Sequence, residues 1–213
     1  MAVLITGANR GIGAGLAKAY RARGEDVVAT ARSDGDIALD VTDPSSVAAM
    51  EAALGDRSLD LLVCNAGVYI DKDEPLEDGF APALWAQTFA VNVTGVFLTV
   101  QALLPRLERA VRPRIAIVSS QMGSNMRANG GSYIYRASKA AATNLGRNLA
   151  RDLAPRGIAV GIYHPGWVRT DMGGIAAEIS QEESVDGLMA RFDALSLGTS
   201  GEFVTWDGRA HPF

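Results

Sequence analysis

Tyr135 and Lys139 stand four residues apart in the stretch Tyr133-Ile134-Tyr135-Arg136-Ala137-Ser138-Lys139, a spacing that puts both on one face of a helix. A phenol beside an ammonium can move a proton. Unaided, ionising a phenol of pKa ~10 at neutral pH costs about 4 kcal/mol, and a neighbouring positive charge reduces that cost. The chain has only three lysines, Lys18, Lys72 and Lys139, among 20 basic residues, so abundance alone does not account for a lysine here. Tyr133 competes for the acidic role but lies about 200° around the helix from Tyr135, so the two cannot both face Lys139. Upstream, Ser119 and Ser120 close a β-branched run and alternate across it, so only one hydroxyl can point at a ligand shared with Tyr135.

A second constellation lies at the N-terminus. Thr6-Gly7-Ala8-Asn9-Arg10-Gly11-Ile12-Gly13 follows the apolar run Ala2-Val3-Leu4-Ile5-Thr6 and opens a helical pattern, Ile12, Leu16, Ala19, Tyr20, that stops near Gly24. Strand, glycine-rich turn and helix in that order predict a dinucleotide cradle, the alternative being an ordinary tight turn. Positions without side chains let a diphosphate approach the backbone, and the helix N-terminus offers it free N–H groups and a positive dipole end. An arginine at the end of the second strand suits the 2′-phosphate of NADP, whereas an acid there would take the 2′-hydroxyl of NAD. Thr30-Ala31-Arg32-Ser33 puts Arg32 at that point, and Arg10 could reach the same phosphate in a bidentate manner. NADP(H) is the expected cofactor, with Asp34, two residues on, the feature that would favour NAD.

The elements that must position these groups alternate along the chain. Strands are expected at residues 2–6, 26–31, 60–64, 114–119, 158–163 and 201–206, and helices at 11–24, 44–54, 82–109 and 132–153. Such alternation predicts a single α/β domain over residues 1–213, a Rossmann-type doubly wound parallel sheet with helices on both faces. Residues 170–197 are weakly periodic, rich in small and acidic residues, and broken by Gly173-Gly174, which predicts a mobile substrate lid or a plain loop between the last two strands.

Composition removes other function classes. A net charge of -4 gives no general attraction to nucleic acid or anionic lipid, and no run of about 18 apolar residues is apparent, so neither a nucleic-acid nor a membrane partner is expected. Cys64 has no partner for a disulfide, and with His164 and His211 it makes no metal-ligand pattern, so no metal is expected. A reducing, cytoplasmic setting is the expectation. Arg106, Arg109, Arg112 and Arg114 read as cations offsetting a helix C-terminus rather than as a binding patch.

Taken together, the glycine loop, Asn65-Ala66-Gly67, Asn92, Ser119-Ser120, Tyr135-x-x-x-Lys139 and Pro165-Gly166-Trp167-Val168-Arg169-Thr170 resemble the short-chain dehydrogenase/reductase family. The motifs stand in the family's order over residues 6–170. Ser120-Gln121-Met122-Gly123-Ser124 and Gly130-Gly131-Ser132-Tyr133 look like its C-factor/sniffer-like carbonyl reductase branch. The resemblance implies a catalytic tetrad of Asn92, Ser120, Tyr135 and Lys139. Ser120 would bond the substrate carbonyl and Tyr135 would protonate it. Lys139 would hold the ribose, and the backbone of Asn92 would anchor a proton-relaying water.

The resemblance also implies cofactor contacts from Gly7, Asn9, Arg10, Gly11, Ile12, Gly13, Arg32, Asn65, Ala66 and Gly67, besides Tyr135 and Lys139. Asp40 and Val41 match its adenine contact, although Asp43 reads equally as a helix cap and Asp40 as a loop acid. Pro165, Gly166, Val168 and Thr170 would meet the nicotinamide. The implied activity is NADPH-dependent reduction of a small carbonyl compound by a homodimer or homotetramer. The branch also allows a non-enzymatic, dinucleotide-binding signalling protein, and the site allows NAD-linked alcohol oxidation. The stretch from Ser120 to Tyr135 is longer than the family's usual one.

Overall fold

A computed structural model describes residues 1–213. Its seven strands, β1 (Ala2–Thr6), β2 (Asp26–Ala31), β3 (Ile37–Ala38), β4 (Leu61–Cys64), β5 (Arg114–Val118), β6 (Ala159–His164) and β7 (Phe203–Thr205), form one parallel sheet in the order β3-β2-β1-β4-β5-β6-β7. Central strands buried on both faces read as continuous apolar runs, which is why Leu-Leu-Val-Cys and Arg-Ile-Ala-Ile-Val were legible. The two-residue β3 was not expected, being too short to show a period.

Helices α1 (Gly11–Ala22), α2 (Pro44–Ala53), α3 (Pro82–Phe89), α4 (Gly95–Leu107), α5 (Tyr133–Leu153) and α6 (Gln181–Ala194) cover the two faces. On one face Met50, Val100, Leu103 and Leu153 pack against Leu4, Leu62 and Ile117; on the other Leu16, Tyr20, Leu188 and Phe192 pack against Ile5, Val63 and Ala116. Alternate residues of each strand thus enter opposite cores. The chain runs outward from β1 to β3, then returns to lay β4 on the other side of β1, which opens a crevice at the C-terminal ends of β1 and β4.

Three expectations change. Residues 82–109 do not make one regular helix: a π-helical segment, Ala90–Thr94, joins α3 to α4 and carries Asn92 at its centre. The joined helix, Pro82–Leu107, is long and apolar enough in composition to cross a bilayer, contrary to the sequence reading, but Val96, Val100, Leu103 and Leu107 are committed to the core. Residues 170–197 are not a lid throughout. Ser180 and Glu183 form a capping box that starts α6, whose Val185, Leu188, Met189 and Phe192 are buried, leaving only residues 170–180 irregular beside the crevice.

The arginines do serve helix ends, though not those of the helix they follow. Arg106 donates to the carbonyls of Glu51 and Gly55 at the end of α2, and Arg114 to Phe192 O at 2.9 Å at the end of α6.

Candidate active site

The crevice between β1 and β4 is a cleft of about 540 Å3. Gly7, Asn9, Arg10, Gly11 and Ile12 line one part, Arg32, Asp40 and Val41 another, and Asn65, Ala66 and Gly67 the wall between; Tyr135, Lys139, Pro165 and Thr170 complete it. Residues separated by most of the chain converge because each follows the C-terminal end of a parallel strand.

Thr6 and Asn65 lock the cradle. Thr6 Oγ1 accepts the N–H groups of Asn65 and Ala66, each at 3.0 Å, and Asn65 Nδ2 donates to the carbonyls of Thr6 and Gly7, also at 3.0 Å. Gly7 has φ +64°, and a Cβ there would come within 2.8 Å of Ala66 Cα. Gly13 does not line the cleft; it lets α1 close on the loop, since a Cβ would meet Gly7 O and come within 2.5 Å of Asn65 Nδ2. The start of α1 has no side-chain cap and no acid in its first turn, so its N–H groups stay available to an anion. These residues fit a dinucleotide diphosphate.

Towards the adenosine side, Arg32 is exposed at the cleft, whereas Asp34 is not among the lining residues. Arg10 lines the same cleft, and its Nη1 pairs with Asp171 Oδ2 at 3.2 Å, both side chains largely exposed. The Asp40 carboxyl is held below its usual range, chiefly by hydrogen bonds from the Thr42 hydroxyl and N–H and less by nearby Arg32. Asp43 caps α2 through Ser45 N at 2.8 Å.

The proton-handling groups lie at the other end. Tyr135 and Lys139 are both buried on the inner face of α5, whereas Tyr133 is 39% exposed and meets Phe80 edge-on. The serines divide as their alternation demands. Ser119 Oγ donates to Lys139 O at 3.0 Å and bonds Thr143 Oγ1 at 2.7 Å, so it faces α5. Ser120 Oγ accepts Met122 N at 3.1 Å and faces the Tyr135 phenol, stabilising its ionised form.

Lys139 is not the group that acts most strongly on the Tyr135 phenol in the cofactor-free site. Burial pushes the phenol up to about 12; Ser120 opposes the rise, while Tyr69 and Asp71 add to it. Lys139 Nζ lies 5.7 Å from the phenol ring centroid and donates to Val118 O at 2.9 Å, and burial lowers its own pKa to about 8.

Asn92 sits behind this pair rather than in the cleft lining. Its Oδ1 accepts Val68 N at 2.8 Å, and its Nδ2 donates to Val68 O at 2.9 Å and Ser138 Oγ at 3.0 Å. A Cβ at Gly67 would lie 3.4 Å from Asn92 Oδ1 and 3.5 Å from Lys139 Nζ, so Gly67 separates the two. Gly166 and Val168 also stand outside the lining: Val168 is buried and bridges Ile179, while Thr170, Asp171 and Met172 line the cleft.

The sequence profile described as short chain dehydrogenase matches residues 1–181. The chain belongs to this family. Among its relatives, 1-hydroxy-2-glutathionyl-2-methyl-3-butene dehydrogenase of Rhodococcus sp. (strain AD45) is 35% identical over 97% of this chain and 96% of that protein. C-signal of Myxococcus xanthus is 41% identical over 60% of this chain and 78% of its own length. Two solved carbonyl reductases cover 100% of this chain: the NADPH-bound enzyme from chicken fatty liver, with TM-score 0.91, 30% identity and 98% of that chain covered, and Sniffer of D. melanogaster, with TM-score 0.92, 27% identity and 99% covered. This short-chain dehydrogenase thus resembles the C-signal and sniffer-like branch, as its motifs implied.

Sequence reasoning missed Tyr69 and Asp71, both on the loop after β4. The Tyr69 ring stacks on that of Tyr135 with centroids 4.2 Å apart, and Asp71 accepts the N–H groups of Ile134 and Tyr135. An aromatic residue shortly after Asn65-Ala66-Gly67 was the one available signal.

Proposed function

We propose that this protein reduces a small carbonyl compound to an alcohol with NADPH. The observation that carries the reading is Tyr135, a buried phenol holding its proton beside the Ser120 hydroxyl, at one end of a cleft whose other end presents Arg32. NADPH bound in the cleft would supply the hydride that the carbonyl carbon takes up, with NADP+ as the co-product. Ser120 donates a hydrogen bond to the carbonyl oxygen and Tyr135 gives that oxygen its phenolic proton, so the oxygen ends as a hydroxyl. Lys139 and the tyrosine hold the ribose, and Lys139, with Asn92 behind it, returns a proton to the phenolate. The uncapped start of α1 would hold the diphosphate, Arg32 the 2′-phosphate, and Thr170 the carboxamide end.

Residues 170–180 act as the closing segment over substrate. The working form is a cytoplasmic homodimer or homotetramer assembled through α4 and α5. Sedimentation as a monomer at micromolar concentration refutes that assembly.

The test is a cofactor-oxidation screen over aldehydes, ketones and quinones, run with NADPH and NADH. Turnover with NADPH that Tyr135→Phe abolishes supports the reading. Tight NADPH binding with no turnover across the panel refutes it and favours the signalling role suggested by the C-signal likeness.

A further inference from the structure

Tyr69, half-buried on the loop after β4, lies flat on Tyr135. The two rings are stacked with centroids 4.2 Å apart and planes inclined by 22°, so one face of the phenol is covered by protein. The covering ring is fixed at three points. Val68, its neighbour in the chain and a residue of the cleft wall, has its N–H and carbonyl both held by the Asn92 amide, at 2.8 and 2.9 Å. Two residues on, Asp71 accepts the N–H groups of Ile134 and Tyr135 in the first turn of α5. The third point is the Tyr69 hydroxyl itself, 2.6 Å from Ser132 Oγ.

Ser132 is the more telling partner. A serine at a helix N-cap ordinarily turns its oxygen onto the N–H groups of the first turn, yet Ser132 gives α5 no such bond and has φ +46°. Its hydroxyl goes to Tyr69. A left-handed backbone is unfavourable for a residue with a Cβ, and a second one stands at the far end of the same loop, where Phe80, with φ +58°, meets Tyr133 edge-on at 5.1 Å. A loop pinned along its length yields little to a substrate.

We propose that Tyr69 is a positioning residue for Tyr135 and sets which carbonyls reach it: its ring holds the phenol in place beside Ser120 and closes one face of it, so that linear aldehydes fit and ketones with two bulky arms are kept out. This rests on the reading of Tyr135 as proton donor. The carbonyl oxygen must meet Ser120 and Tyr135 together, and with one ring face covered its substituents have only the open side to occupy. A linear aldehyde brings one arm and a hydrogen.

The experiment measures kcat and KM with NADPH for linear aldehydes and branched aryl ketones in wild type, Tyr69→Ala and Tyr69→Phe. Removing the ring in Tyr69→Ala should raise the ketone-to-aldehyde ratio of kcat/KM at least about tenfold, through a lower KM for the ketone. It should also lower kcat for the aldehyde roughly two- to tenfold, as the phenol loses its stacked neighbour. Tyr69→Phe keeps the ring and loses only the bond to Ser132, so it should keep the wild-type preference. Tyr69→Leu, which fills part of the space without stacking, should change the ratio in the same direction as Tyr69→Ala and serves if that variant does not accumulate. A ratio that does not rise in a folded variant able to bind NADPH overturns the proposal, because a merely structural loop residue would depress both substrates alike. If wild type reduces no carbonyl, flipping of the Tyr135 ring, followed by aromatic 13C NMR, separates the two claims. Faster flipping in Tyr69→Ala then upholds the hold of Tyr69 on the phenol and removes the reductase reading, whereas unchanged flipping overturns both.

Discussion

Replacing Arg32 with alanine tests the cofactor assignment most directly. Arg32 is exposed at the cleft and makes no ion pair with an acid, and Arg10, which lines the same cleft, is paired with Asp171. A hydrogen bond to a charged group contributes about 1.5–3 kcal/mol, and solvent screening of an exposed guanidinium puts this one at the low end. A loss of about 1.5 kcal/mol is roughly a tenfold weaker Kd for NADPH. NADH lacks the 2′-phosphate and should change by less than about twofold on the same scale. Fluorescence titration of both cofactors at low and high salt reads the difference, and the NADPH preference of the wild type should shrink as salt rises. Equal losses for the two cofactors, or no loss for either, would refute the assignment of Arg32 to the phosphate.

Further outcomes follow from the geometry. Tyr135→Phe should lower the rate of carbonyl reduction at least about 100-fold while NADPH, held also by Lys139, the glycine loop and Arg32, binds only modestly more weakly; single-turnover rates read this directly. Gly7→Ala should weaken cofactor binding and destabilise the fold, because the left-handed backbone and the contact with Ala66 both oppose a Cβ, and denaturant midpoints with and without NADPH separate the two losses. Phe192→Ala should cost about 3–5 kcal/mol in chemical denaturation, since Phe192 is fully buried and α6 is held through it. Lys139, depressed to about 8 from 10.5, binds its proton more weakly in the folded state. Its penalty is therefore full below pH 8 and relieved as pH rises toward 10.5, so cofactor-free stability should climb through that window in wild type and not in Lys139→Met.

The strands that end at the cleft were legible because burial on both faces leaves an uninterrupted apolar signature, as in Leu61–Cys64. The glycine loop was legible through its place between a strand and a helix. Helix α6 was overlooked although Ser180 and Glu183 have capping-box spacing, because Gly187 and the small residues around it blur the period. The π-helical segment at Asn92 carries no compositional mark, since the width of a helical turn is decided by what its side chains bond. Asp71 was invisible for a different reason: its partners are backbone groups 63 or more residues away, and no spacing rule reports a contact brought about by folding.

The widened turn at Ala90–Thr94 means that the helix over the sheet carries one residue more than a regular α-helix would hold over the same span. Deleting Val93 would let the backbone relax into even α-helical repeats and draw the amide of Asn92 away from Val68 and Ser138. A smoother helix would then leave Gly67 without its backing and Lys139 with a looser wall. The irregularity is thus a spacer, and selection for a better-formed helix would work against the hydrogen bonds it holds in place.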